Sequence, residues 1–187
     1  MASSLLILGG ARSGKSRFAV AGLSPRARVL YIATAQPGDA DMAARIARHQ
    51  AERPPQWKTV EAPFDLVPRL GDALGAADTV VVDCLTLWVA NLMLRGDGDE
   101  AILKEADALA ALAAAPRAEL RIVSNEAGLG VHPATADGLR FRDLLGGVNQ
   151  RIAAAAARVV LMIAGLPHML KDAPARSPTH ERPPEAP

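Results

Sequence analysis

Three groups of residues in this chain have the types and spacing to do chemistry. The first is the run Gly9, Gly10, Ala11, Arg12, Ser13, Gly14, Lys15, Ser16, which has the form GxxxxGK[ST] and directly follows the apolar stretch LLIL. Glycines in such a loop let the backbone wrap with its N–H groups pointing at phosphate oxygens. Lys15 would reach the β- and γ-phosphates of a nucleotide, and the Ser16 hydroxyl would bind Mg²⁺. An apolar strand before the loop and a helix opening RFAVAGL after it supply the context that an accidental glycine turn lacks. The helix would add its positive N-terminal end. ATP and GTP fit such a loop equally.

The second group is a pair of strand-end carboxylates. Asp83 closes the apolar run TVVV, where an acid can meet phosphate-bound Mg²⁺ through water. Its alternative is to cap the helix that begins near Cys84. Glu126 in IVSNEAGLG also follows a strand, among small residues that permit close approach. It could hold metal, ligand or a reactive water, or bond the neighbouring backbone. Cys84 reads as a small buried hydrophobe.

The third group lies in residues 39–53, DADMAARIARHQAER. Asp39 or Asp41 can cap a helix whose Met42 and Ile46 face the core. Arg45, His49 and Arg53 recur every four residues and so share one helix face. The surrounding arginines, Arg48 included, disfavour a charged imidazole and keep His49 a neutral nucleophile at pH 7. Arginines can also hold phosphates before it. Attack on a nucleotide α-phosphate would give a phosphoramidate, labile because the departing imidazole can be protonated. On spacing alone, a solvated basic helix face accounts for the pattern more simply. His132 in GLGVHP can line a pocket or sit in solvent, and His168 lies near the end of the last strand or turn.

These groups need a scaffold. The runs at 5–9, 29–34, 79–83, 120–125 and 159–165 are short, apolar and rich in β-branched residues. Near-continuous apolar runs suit parallel strands covered on both faces. Helix patterns lie between them, at 15–22, 39–53, 64–75, 85–95, 99–114 and 140–157. The alternation predicts an α/β layered fold with right-handed crossovers. Residues 1–171 read as one domain, and 172–187 as a Pro-rich disordered tail.

Composition narrows the function classes. With 21 basic and 20 acidic residues, nothing favours a nucleic-acid or anionic-membrane partner. One cysteine excludes an intramolecular disulfide and a cysteine-rich zinc site. No apolar run approaches the ~20 residues that cross a bilayer, and no signal segment opens the chain. The expectation is a soluble cytoplasmic protein.

The strings GGARSGKSRFA, YIATA, DADMAARIARHQAERPPQWKTVEAP, VVDCLTLWVANLM, VSNEAGLGVHP, FRDLLGGVNQRIA and AGLP occur in this order. Together they resemble the bifunctional adenosylcobinamide kinase / adenosylcobinamide-phosphate guanylyltransferase family of cobalamin biosynthesis, over about residues 5–171. The resemblance implies a RecA-like P-loop fold, a homotrimer, ATP or GTP as phosphate donor with Mg²⁺, and adenosylcobinamide and its phosphate as acceptors. It implies that His49 carries GMP between GTP and the acceptor phosphate. Nucleotide contacts then fall on Gly9–Ser16, on Ala33, Thr34 and Ala35, on Gln50, Ala51, Glu52 and Arg53, and on Glu61 and Asp83. Asp41, the Val131–His132 pair and Arg158 depart from the family's usual residues.

Two other readings stand beside it. One is a small-molecule kinase without nucleotidyl transfer. The other is a GTPase switch or nucleic-acid motor, but no NKxD-type guanine reader and no basic stripe is present.

Overall fold

The structure, a computed structural model, describes residues 2–24, 26–38, 40–51 and 53–172; within the helix at 40–51 the side chains of residues 41, 42, 45 and 49 lie outside the description. The predicted alternation is observed. Seven strands, β1 (Ser4–Gly9), β2 (Val29–Ala33), β3 (Lys58–Glu61), β4 (Thr79–Asp83), β5 (Glu119–Val123), β6 (Arg158–Ile163) and β7 (Leu166–Asp172), form one sheet in the order β3-β2-β4-β5-β1-β6-β7. Every pairing is parallel except β6 with β7. The helices are α1 (Lys15–Val20), α2 (Ala40–Ala51), α3 (Leu66–Ala76), α4 (Leu85–Arg95), α5 (Asp99–Ala114) and α6 (Ala136–Ala155).

Side chains alternate across the pleat, and both faces are buried. Leu6, Ile32, Val80, Val82 and Ile122 point into the larger core, under α3 to α6, whereas Leu5, Ile7, Tyr31, Val81 and Val160 point into a smaller one with Ala19 of α1. Aliphatic residues fill most of this interior, and Trp88 of α4 is its largest fully buried side chain.

Two strands escape the sequence reading. The four residues of β3 are mostly exposed, and β7 is exposed along nearly its whole length and contains Pro167. Both are edge strands, held by backbone pairing on one side, so neither needs the apolar run that marks a central strand. His168 therefore stands inside β7, opposite Leu161, rather than at a strand end. Helix α6 starts earlier than predicted because the Thr135 side chain caps it, accepting from the Gly138 N–H. Among the described residues no helix is long and apolar enough to cross a membrane.

Candidate functional site

The phosphate loop leaves the carboxyl end of β1, the location at which open α/β sheets bind ligands. Gly9 has φ +150°, and a Cβ there would stand 2.5 Å from the Met162 carbonyl oxygen and 2.6 Å from Ser13 Oγ. Gly14, at φ +93°, turns the chain into α1. Gly10 has open space where a Cβ would stand, so the steric demand falls on Gly9 and the conformational one on Gly14. Lys15 is buried, and its ammonium donates to the Gly10 carbonyl at 2.6 Å and to Ser13 Oγ at 3.5 Å. The turn joining β6 to β7 supports the loop, with the Gly165 N–H donating to the Ser13 carbonyl at 3.0 Å.

Over this loop lies a cleft of about 750 Å³, walled by Ala11 through Arg17, by Arg48 of α2, and by Asp83, Thr86 and Asn125. A recess of about 80 Å³ adjoins it and is lined by Tyr31, Ala33, Ala35, Gln50, Arg53 and Glu61, among others. Ser16, Asp83, Cys84 and Leu87 belong to both walls. Most of the residues singled out in the sequence thus come together. The backbone of His49 lies in α2 between Arg48, which faces the cleft, and Gln50, which faces the recess; its side chain is outside the described set.

Other residues stand apart. Thr34 is fully buried, its hydroxyl donating to the Cys84 carbonyl at 2.7 Å and accepting from the Cys84 N–H at 2.8 Å. It stitches the end of β2 to the end of β4 and lines neither cavity. Asn91 reinforces that seam from below, donating to the Thr34 and Pro63 carbonyls at 2.7 and 3.1 Å. Ala51 is exposed and lines neither cavity, and Glu52 is outside the described residues. Arg53 does not extend the helix face, because α2 stops at Ala51, before the Pro54–Pro55 pair that cannot continue it.

Asp83 ends β4 and is not a helix cap: the α4 N-cap is Cys84, without a side-chain capping bond. The carboxylate accepts instead from the Tyr31 hydroxyl, with 2.5 Å between the oxygens. Burial, and next the Asp83 charge, raises the Tyr31 pKa, so the phenol keeps its proton. The Arg53 guanidinium lies 3.6 Å above the Tyr31 ring centre and donates to Thr59 Oγ1 at 3.1 Å. Cys84 is half-buried beside this group, and its thiol is pushed up to about 11, by burial first and by Asp83 second.

Glu126 Oε1 accepts from the Gly128 N–H at 3.2 Å. The loop start is fixed by Asn149, which accepts from Ser124 Oγ at 2.7 Å and donates to the Asn125 carbonyl at 2.9 Å. His132 is exposed, its Nδ1 3.0 Å from an Arg142 guanidinium nitrogen. Sequence reasoning missed Tyr31, Thr86, Leu87 and Asn125 as wall residues, though Tyr31 carried a signal as the chain's single tyrosine, two positions before Ala33. Ser16 and Asp83 offer a hydroxyl and a carboxylate on a shared wall, hard oxygen donors that suit Mg²⁺ completed by phosphate and water.

The sequence matches the family described as "Cobinamide kinase / cobinamide phosphate guanyltransferase" over residues 5–170. It is 46% identical over 171 residues to the bifunctional adenosylcobalamin biosynthesis protein CobP of Pseudomonas aeruginosa, covering 90% of this chain and 98% of that one. It is 38% identical over 174 residues to the bifunctional adenosylcobalamin biosynthesis protein CobU of Escherichia coli, covering 87% and 96%. Among solved structures, a KaiC-like protein from Pyrococcus horikoshii superposes with a TM-score of 0.50 at 13% identity, covering 85% of this chain and 70% of that chain. That likeness is one of fold, and it accords with the RecA-like P-loop architecture.

Proposed function

The chain belongs to the cobinamide kinase / cobinamide phosphate guanyltransferase family, and from that premise we propose that one cleft serves two transfers. In the first, the triphosphate of ATP or GTP lies in the Gly9–Ser16 loop. The aminopropanol hydroxyl of adenosylcobinamide attacks the γ-phosphorus, and the nucleoside diphosphate leaves. In the second, a ring nitrogen of His49 attacks the α-phosphorus of GTP and pyrophosphate leaves. The phosphate of adenosylcobinamide phosphate then attacks the same phosphorus, giving adenosylcobinamide-GDP and returning the imidazole.

The observation that carries this reading is the course of α2 along both cavities, with Arg48 facing the cleft and Gln50 the recess on either side of His49. That course supports a nucleotide bound with its phosphates toward the helix segment that carries His49 and its base toward Glu61. Lys15 and the loop N–H groups hold the polyphosphate and offset charge that builds on it during transfer. Mg²⁺, held by Ser16 and through water by Asp83, would supply further neutralisation of the phosphate oxygens. Positioning provides much of the remaining rate, since phosphoryl and nucleotidyl transfer ask little covalent chemistry of a protein beyond the nucleophile. A cytoplasmic homotrimer is part of the same proposal, and sedimentation at a single-chain mass would count against it.

The test supplies the purified protein with adenosylcobinamide, Mg²⁺ and GTP and separates the products. Adenosylcobinamide phosphate followed by adenosylcobinamide-GDP and pyrophosphate is expected. Accumulation of adenosylcobinamide phosphate alone would reduce the protein to a kinase.

A further inference from the structure

Asp83 is the last residue of β4, and little in its own strand fixes the rotation of its carboxylate. The neighbouring strand does. Ala33 of β2 pairs with Asp83 and Tyr31 with Val81, so Tyr31 lies two residues back along the same pleat face as Ala33. From there its hydroxyl reaches Asp83 Oδ2 at 2.5 Å. The ring itself cannot swing. It is 3% exposed, packed among Val29, Val81, Val123 and Val160, and covered on one face by the Arg53 guanidinium at 3.6 Å.

We infer that Tyr31 is a positioning residue for the strand-end acid: its hydroxyl pins one oxygen of Asp83 and thereby sets how that carboxylate meets the Mg²⁺ shell of the bound nucleotide. This rests on the Mg²⁺ role proposed for Asp83. A single donor on a locked ring removes the carboxylate's rotational freedom before the ligand arrives, so that cost is not charged to binding. The same ring carries Arg53, which also bonds Thr59 on β3. Tyr31 therefore ties the acid of the cleft to the segment just past α2 that walls the recess.

Tyr31→Phe separates this role from simple packing, because it keeps the ring, its volume and its face for Arg53, and removes only the hydroxyl. The measurement is the affinity of a fluorescent GTP analogue over a Mg²⁺ titration that begins in chelator. Wild type should bind more tightly as Mg²⁺ rises. In Tyr31→Phe the Mg²⁺ concentration giving half of that tightening should rise about 10- to 100-fold, the range for losing a partner that orients a metal-side group. The metal-free affinity should stay within about twofold. An unchanged Mg²⁺ midpoint in Tyr31→Phe overturns the inference, as does an equal loss with and without metal, which would mean damage to the recess. If wild type itself shows no Mg²⁺-dependent tightening, the Mg²⁺ role of Asp83 falls first.

Discussion

The Gly165 N–H donates to the Ser13 carbonyl across 3.0 Å, so the β6–β7 turn braces the phosphate loop from outside the sheet. Gly9 makes the companion contact with β6, since its backbone is so close to Met162 that a methyl group would stand 2.5 Å from the carbonyl oxygen. Overpacking of this kind costs about 1–3 kcal/mol. Gly9→Ala should lower the melting temperature by roughly 2–12 °C, at about 2–4 °C per kcal/mol for a chain of this size. Gly10→Ala, with open space around it, should melt within about 2 °C of wild type. Thermal denaturation of the two variants side by side checks the contrast.

Thr34 gives a second contrast. Its hydroxyl both donates to and accepts from the backbone of Cys84, while the residue is fully buried. Thr34→Val keeps the shape and strands the Cys84 N–H, at about 1–3 kcal/mol, while the Cys84 carbonyl still accepts from the Trp88 N–H at 3.2 Å. A fall in melting temperature of roughly 2–12 °C is expected. Thr34→Ser should recover most of it. If Thr34→Val melts like wild type, the seam between β2 and β4 does not depend on that hydroxyl.

Cys84 offers a pH test. Its thiol rises from the ordinary 9.0 to about 11, with burial the larger cause and Asp83 the next. A raised thiol pKa disfavours the charged form in the fold, so the stability it reflects is intact below pH 9 and is lost as pH climbs toward 11. At pH 8 the folded protein should hold about a hundredfold less thiolate than the unfolded chain. Iodoacetamide labelling followed by intact mass should be slower in the folded protein by about that factor, and equal rates folded and in urea would contradict it.

What was legible in the sequence follows from how local each feature is. The phosphate loop spans eight consecutive residues, Gly9 to Ser16, and carries its chemistry in its own spacing. The central strands were readable because both their faces are buried, whereas β3 and β7 hold their places by backbone pairing that side chains do not advertise. The bond from Tyr31 to Asp83 joins residues 52 positions apart and exists only through the register of β2 on β4. Thr34 shows the converse difficulty. It stands between two recess residues, Ala33 and Ala35, yet the strand alternation turns its side chain inward, and a string match cannot show that.

His49 is the residue on which the proposed two-step function turns. Incubation with [α-³²P]GTP, followed by denaturation and gel separation, measures whether GMP becomes covalently attached. Acid-labile, base-stable label is expected on the wild-type chain and none on His49→Ala, with most kinase activity retained in that variant. Label on His49→Ala equal to wild type would contradict that function.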